Sequence, residues 1–449
     1  MLAILGFITV IVMLVLVMTK KSSPTVALIG VPVITGVIAA FFIKNEEGVV
    51  HVLKNVISLG GMISSGIGTV AATGVMFIFS ILFFGILTDA GTFRPIIKGV
   101  LQKVGVDPIK IAIGTAILAM IVHLDGSGAV TFLICIPALL PVYDAVGMKR
   151  TTLACVTALA AGTMNIVPWG GPTIRAATAM EMNVMTLFTP VIPALVCGLL
   201  TVLVFAFIMG KGEKKRIGSA ALASVTQYEE ELTEEKKALL NPHLFPVNIL
   251  LIVITIVGLI GGGHLGIGPA VVFMLAYVLA IVINYPSPKI QKERVDAHAK
   301  SAIMMASVLF AAGAFTGIMK GTGMITEMAN ALVSVIPASL GRFFPIITGI
   351  IAMPASLLFD PDSFYFGVLP VLGNTAAGLG VEAVNVARAA ILGQMTTGFP
   401  VSPLTPATFL LVGLSGVEFG DHQKKTIPLA FAVTIVMLIV SLLTGAIRI

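Results

Sequence analysis

Long apolar runs recur from one end of the chain to the other, and they come in two kinds. One kind is unbroken and of span length, 16–26 residues against the ~20 that cross ~30 Å of hydrocarbon as a helix. Spans of this kind are predicted at Met1–Thr19, Thr25–Ile43, Gly68–Leu87, Val184–Met209, Leu244–Ile260, Ala270–Tyr285, Ser301–Met319 and 427–447. The other kind is interrupted by Gly, Pro or Asp. Ile109–Val122 and Ala129–Val142 flank His123-Leu124-Asp125-Gly126-Ser127-Gly128, and basic residues stand on both outer ends. Each arm holds about 14 residues, or about 21 Å of helix, too short to cross. A re-entrant hairpin over 109–145 is the expectation. A second hairpin is expected over 343–379, turning at Phe359-Asp360-Pro361-Asp362-Ser363.

Two further spans are broken internally. The first, 152–179, is broken at Thr163-Met164-Asn165-Ile166-Val167-Pro168-Trp169-Gly170-Gly171-Pro172. The second, 384–416, is broken between Thr396 and Pro406. Prolines and glycines at that density leave backbone groups without helical partners, which is sustainable at membrane depth only inside protein or along a cavity.

The interruptions repeat. Phe84–Gly91 resembles Thr316–Gly323, Asp125-Gly126-Ser127 matches Asp360-Pro361-Asp362-Ser363, Leu140-Pro141-Val142 matches Leu369-Pro370-Val371, and Pro168–Pro172 matches Pro403–Pro406. Four landmarks keep their order and nearly their spacing. With an odd number of spans per half, the halves have opposite topology. The expected fold is therefore an all-α polytopic membrane protein of inverted repeats, with two re-entrant hairpins and two broken helices. The first repeat covers 1–210 and the second 244–449. The linker 211–243 is read as a solvated cytoplasmic tether with the charge run Glu229–Lys237.

Composition agrees. Of 449 residues, 57% are hydrophobic and 11% charged, with mean hydropathy +1.07, where soluble domains carry about 25% charge. The net charge of +6 would raise nucleic acid in a soluble protein. Here Lys and Arg cluster in short loops, the footprint of positive-inside topology. Lys20-Lys21, the stretch with Arg94, Lys98, Lys103 and Lys110, the loop Lys289–Lys300, and Asp421-His422-Gln423-Lys424-Lys425 are placed in the cytoplasm. That puts both termini outside the cell membrane. Cys135, Cys155 and Cys197 lie in apolar segments without paired spacing, against a disulfide scaffold or a Cys-based zinc site. Met1–Thr19 lacks a basic leader and a small-residue cleavage site and is read as a retained span.

Ionisable groups at membrane depth mark function. His123, Asp125, Asp360 and Asp362 fall at the two tips. Three aspartates at the bilayer centre would cost on the order of 8–10 kcal/mol on insertion scales, so they require water, protons or cations. Around them stand Ser127, Thr163, Asn165, Ser363, Thr397, Ser402 and Thr405, with Gly126, Gly128, Trp169, Gly170 and Gly171 shaping the breaks. Carboxylates, hydroxyls and freed carbonyls suit hard cations such as Mg²⁺ or Ca²⁺, and half-helix N-termini suit a carboxylate. A site offering both reads as one for a metal–carboxylate complex. Ser and Thr in membrane helices also bond their own preceding turn. Trp169 serves equally well as a packing residue, and His123 is either a satisfied interior histidine or a proton carrier. Arg175 and Arg388 either neutralise a carboxylate or pair with helices and snorkel. Asp89, at the end of a span, is read as a boundary residue.

Leu124-Asp125-Gly126-Ser127-Gly128, Asn165-Ile166-Val167-Pro168-Trp169-Gly170-Gly171 and Phe364-Tyr365-Phe366-Gly367-Val368-Leu369-Pro370 resemble motifs of the citrate–divalent metal:proton symporters of the ion transporter superfamily. So do Asn284-Tyr285-Pro286, Phe315-Thr316-Gly317-Ile318 and Gly420-Asp421-His422-Gln423-Lys424. The resemblance spans essentially the whole chain. It implies inward symport of citrate chelated to a divalent metal (Mg or Ca type) with protons, and no resident cofactor. It also implies a scaffold domain and a transport domain in a homodimer moving as an elevator. Asp125, Asp360 and Asp362 become metal contacts, and His123, Asp125 and Asp362 become proton carriers. Two rivals stand beside it: a sodium-coupled di- or tricarboxylate carrier of the same fold, and an intramembrane aspartyl protease. For the latter the chain has Tyr143-Asp144 but no Gly-x-Gly-Asp.

Overall fold

The computed structural model describes residues 1–449 except 20, 44–48, 97, 100–104, 218–233, 336–337 and 449. Lys20, Lys44, Lys103 and most of the run Glu229–Lys237 thus lie outside the described residues. Among the described residues the chain is helical, without a β-strand. Among those residues, seven helices are long and apolar enough to cross a membrane, eight if the bent pair Met324–Val335 and Leu340–Ala355 is one span.

The first half holds α1 (Leu2–Met18), α2 (Pro24–Ala39), α3 (Val52–Asp89), α4 (Pro108–Val122), α5 (Gly128–Val146), α6 (Arg150–Met164), α7 (Gly171–Ala179) and α8 (Val184–Ile217). The second holds α9 (Phe245–Gly261), α10 (Pro269–Asn284), α11 (Pro288–Gly321), α12 (Met324–Val335), α13 (Phe344–Ala355), α14 (Leu369–Gly378), α15 (Ala383–Ile391), α16 (Pro406–Ser415) and α17 (Phe419–Leu443). Pro at the first positions of α2, α4, α10 and α11 starts them where a backbone N–H has no helical partner anyway.

Several boundaries differ from the expectation. The expected basic loop Lys289–Lys300 is the opening of α11, because nothing after Pro288 breaks a helix and its charges lie along one continuous turn pattern. α3 begins at Val52 rather than Gly68 and runs 38 residues through six glycines. α8 continues past Met209 to Ile217, its last turn carrying Lys214, Lys215 and Arg216, where cations complement the helix C-terminus. The linker therefore starts later than residue 211. α12, which buries Met324, Ile325, Met328 and Ala329, is an element the apolar-run reading passed over. The arms of the first hairpin are also longer than expected, at 18 residues (Pro108–Asp125) and 19 residues (Gly128–Val146). Arm length alone therefore does not make this hairpin re-entrant.

The helices pack in two groups. In one, α3 lies against α10 and α11, with α1, α2, α9 and α12 around them. α3 and α11 touch backbone to backbone. A Cβ on Gly66 would come within 2.1 Å of the Gly313 carbonyl oxygen, and one on Gly317 within 2.3 Å of that of Met62. Small residues four apart on α11 (Gly313, Gly317, Gly321) permit this approach, the usual adhesive between helices in lipid. The other group packs α4, α5, α6 and α8 with α13, α15, α16 and α17, and α14 bridges the two by packing on both α12 and α15. Between the groups sit α7, the first hairpin tip and the turn after Asp362, all against α3, α11 or both. The two tips and the first break thus face the seam between the two groups, while the second break packs inside the second group against α6, α16 and α17.

Candidate functional site

The first tip is built by local capping. After α4 the chain makes one 3₁₀ turn, His123–Asp125, and reverses at Gly126, whose φ of +75° suits glycine alone among ordinary residues. Asp125 Oδ1 accepts the Ser127 N–H at 2.8 Å. Ser127 then caps α5, its hydroxyl accepting the Val130 N–H at 3.3 Å. Gly128 lies against the Phe399 ring, where a Cβ would be 2.6 Å away.

His123 is fully buried. Its Nδ1 lies 2.8 Å from the Thr131 hydroxyl and its Nε2 3.3 Å from Asn165 Oδ1. Asn165 in turn donates through Nδ2 to the Met395 carbonyl at 2.7 Å. Trp169 Nε1 donates to the Leu124 carbonyl at 2.7 Å. Its indole stands against Phe84 and Phe273, ring centroids 5.5 and 5.6 Å away, which ties the break to the α3–α10 side. Gly170 closes the break so tightly that a Cβ would meet the Asn165 carbonyl oxygen at 2.1 Å. Gly171 lies beside the Arg175 guanidinium.

At the second tip the two aspartates have different duties. Asp360 is a cap: it accepts the N–H groups of Asp362 and Ser363, each at 3.0 Å, and the Ser363 hydroxyl at 2.5 Å. Asp362 instead holds a cation, its Oδ1 lying 2.7 Å from Arg175 Nε, with 11% and 12% of the two side chains exposed. A π-helical turn, Ser363–Val368, follows. Such turns cluster at functional sites. Its Tyr365 hydroxyl donates to the Gln394 carbonyl at 2.7 Å.

The second break carries Met395 at φ +49°, a strained conformation for a residue with a side chain. Ser356 Oγ accepts the Met395 N–H at 2.8 Å, and Ser402 donates to the Ser356 carbonyl at 2.5 Å. Thr397 bonds Thr434, and Thr405 bonds the Phe399 carbonyl. Thr163 bonds its own preceding turn at Leu159. These hydroxyls are thus engaged in holding the breaks. Arg388 caps the Thr186 and Ala446 carbonyls at 2.8 Å each. Among the described residues, Arg175 faces a tip aspartate and Arg388 does not.

Both tips and both breaks are therefore knitted into one node. Asn165 reaches Met395, Trp169 reaches the first tip, Arg175 reaches the second tip, and Tyr365 reaches Gln394. Among the described residues, no three His, Cys, Asp or Glu side chains form a metal cage. The space beside Arg175, walled by Phe77, Ile174, Val308, Leu309 and Phe366, admits no water-sized sphere. A larger open cleft of about 320 Å³, lined by Lys149, Arg150, Glu418 and Asp421, sits at the opposite end of α6 from its break.

Three residues of this node have no site role in the sequence analysis: His422, Gln423 and Gln394. His422, expected in a cytoplasmic loop, lies in the first turns of α17, is fully buried, and its Nε2 is 2.8 Å from the Pro400 carbonyl oxygen. Gln423 beside it donates to the Val401 carbonyl at 2.8 Å. Pro-rich breaks leave carbonyls without helical donors, and a nearby His-Gln pair was the available signal. Gln394 is fully buried, and neither polar atom of its side chain finds a partner among the described residues.

Known proteins place this architecture. The citrate transporter family model matches residues 2–393. A citrate transporter of Bacillus subtilis (strain 168) is 43% identical, and the Mg(2+)/citrate complex secondary transporter of the same organism is 39% identical; each match covers 100% of both chains. Two solved structures share the fold. The Alcanivorax borkumensis YdaH transporter has TM-score 0.59 and 14% identity over 90% of this chain and 89% of that one. Neisseria gonorrhoeae MtrF has TM-score 0.61 and 13% identity over 94% of each. The family and these relatives are transporters, which removes the protease reading. The chain is a multi-span membrane protein of the citrate transporter family.

Proposed function

We propose that this protein is a secondary active importer of citrate complexed with a divalent cation of the Mg or Ca type, in symport with protons. The carrying observation is the buried Arg175–Asp362 pair where a tip meets a broken helix. It presents a cation for a carboxylate and a carboxylate for a metal at one point. A chelated metal brings most of its ligands with it, so the lack of a three-carboxylate cage among the described residues agrees with such a cargo. The 39% identical relative named for the Mg(2+)/citrate complex supports the same reading.

The hydrogen bonds around His123 support proton coupling. Donation by Asn165 Nδ2 to Met395 turns Oδ1 toward the imidazole, which calls for a proton on Nε2. The Thr131 hydroxyl has two acceptors within 2.8 Å, His123 Nδ1 and the Ser127 carbonyl. Turned to Nδ1, it serves a neutral ring; turned to Ser127, it accepts Nδ1–H from an imidazolium. The ring thus gains or loses a proton with its partners kept satisfied. Charge arithmetic favours such coupling. Trivalent citrate with a divalent cation carries one negative charge, whose entry an inside-negative potential opposes by about 2.3 kcal/mol per 100 mV. Two protons reverse that sign.

In this scheme 1–210 and 244–449 are inverted repeats. Asp125 and Asp362 join His123 in proton traffic, Ser127 and Ser363 flank the cargo, and the node moves against the α3–α11 group as an elevator within a plasma-membrane homodimer, termini outside. Labelled-citrate uptake into proteoliposomes tests it, with metals and gradients varied one at a time. Uptake is expected only with a divalent cation and to rise with an inward proton gradient. Uptake driven by sodium instead, or indifferent to pH gradient and potential alike, overturns the coupling.

A further inference from the structure

We propose that Arg175 and Asp362 are an exchange pair that makes the carrier select the metal–carboxylate complex over either component alone. The inference rests on the cargo reading just given. The pair lies between the two helix groups: Arg175 stands on α7 and lines the closed space against Phe77, Val308 and Leu309 of α3 and α11, and Asp362 ends the second tip. Asp360 is committed to three capping bonds. Of the second tip's two carboxylates, Asp362 is therefore the one whose charge is compensated by a side chain that can leave. Among the described residues Arg175 makes one other bond, from Nη1 to the Gly171 carbonyl at 3.3 Å, so most of its guanidinium donors are uncommitted there.

A buried pair is tolerated while each charge stays compensated, and stranding either member is heavily penalised. Free citrate would take Arg175 and leave Asp362 facing only more negative charge. A free divalent cation would take Asp362 and strand the guanidinium beside a second cation. The complex satisfies both at once: its metal replaces Arg175 at Asp362, and a carboxylate replaces Asp362 on the guanidinium fork. When the complex leaves, the two side chains compensate each other again, so the returning carrier moves no uncompensated charge through the seam. Selectivity then comes from the penalty against each half-cargo rather than from extra contacts to the whole.

Equilibrium binding to the purified full chain tests this, with labelled citrate in Mg²⁺ or in EDTA, and with Mn²⁺ alone followed by electron paramagnetic resonance. The native chain should bind citrate at least about tenfold more tightly with Mg²⁺ and should not bind Mn²⁺ alone. Asp362→Asn should bind citrate equally, within about twofold, with and without metal. Arg175→Gln should gain Mn²⁺ binding without citrate. The reversed pair Arg175→Asp/Asp362→Arg keeps the compensation and should recover metal dependence, which also covers the case of a single variant that does not fold. Unchanged metal dependence in Asp362→Asn, no Mn²⁺ binding by Arg175→Gln, or no recovery in the reversed pair overturns the exchange pair while leaving the cargo reading intact. A native chain that binds no citrate under any metal condition overturns the cargo reading itself, and the inference with it.

Discussion

The side-chain amide of Asn165 donates to the carbonyl of Met395 over 2.7 Å, across 230 positions of chain. Each residue sits where a helix has stopped, and each belongs to a different half. Met395 holds φ +49° with its N–H on Ser356 Oγ and its carbonyl on Asn165. Strained backbone of this kind persists where its surroundings over-determine it. The Asn165–Met395 bond is the direct side-chain link from one break to the other, and on its far side Asn165 sets the proton on His123 Nε2.

Replacing Asn165 by Ala should therefore disturb two places at once. It strands the buried Met395 carbonyl and removes the acceptor for His123 Nε2, each worth about 1–3 kcal/mol when left unpaired. The expected outcome is a clear fall in thermal midpoint for the detergent-purified protein, together with loss of citrate uptake. A variant melting like the native chain would show that the two breaks are held together by other contacts.

Thr131 offers a sharper test of the proton route. Thr131→Val keeps the shape of the side chain but removes the hydroxyl that alternates between Nδ1 and the Ser127 carbonyl. The ring then has no partner that adapts to its protonation. Uptake driven by an imposed pH gradient should fall by up to about a hundredfold, roughly the lower end of what one positioned proton-transfer group contributes. Metal-dependent citrate binding should persist, since Thr131 touches neither Arg175 nor Asp362. Equal losses of binding and of gradient response would point to a packing role for Thr131.

How far the sequence carries can be judged from these residues. The breaks at Asp125, Asn165–Pro172, Asp360–Asp362 and Thr396–Pro406 were legible, because Gly, Pro and Asp inside apolar runs violate what lipid allows. Partnerships were not. Nothing along the chain assigns Arg175 to Asp362 rather than to a helix end, the fate Arg388 meets at Thr186 and Ala446. Charge near a span end reads as solvent, so the sequence predicts loops at the openings of α11 and α17, although both are helical. Hydroxyls looked like ligands for a cation. In the fold Thr163, Thr397, Ser402 and Thr405 bond the backbone or one another, as membrane helices with freed carbonyls require.

His422 illustrates that requirement. Prolines at 400, 403 and 406 withhold N–H donors, and the Pro400 carbonyl is met by the His422 imidazole from α17. Substituting Leu keeps an apolar body of similar bulk but leaves that carbonyl buried and alone. We expect a loss of about 1–3 kcal/mol in stability, read as a lower melting midpoint, with uptake reduced through misplacement of the second break. His422→Gln, which can still donate, should recover most of the midpoint. A Leu variant as stable as the Gln variant would mean the contact carries no weight.

Gln394 calls for the opposite sign. Its amide is fully buried, and neither its nitrogen nor its oxygen has a partner among the described residues, although its backbone carbonyl is held by Tyr365. An unsatisfied buried amide lowers stability, and exchange for an apolar side chain of the same length should restore about 1–3 kcal/mol. Gln394→Met is expected to melt higher than the native chain. A chain that keeps such a cost at the break beside Tyr365 keeps it for work, so the same variant should transport citrate more slowly despite its greater stability. Thermal melts and proteoliposome uptake on one preparation decide the matter. A Met variant that melts lower would show the amide to be satisfied in the resting protein, and a stabilised variant with native uptake would remove Gln394 from the transport cycle.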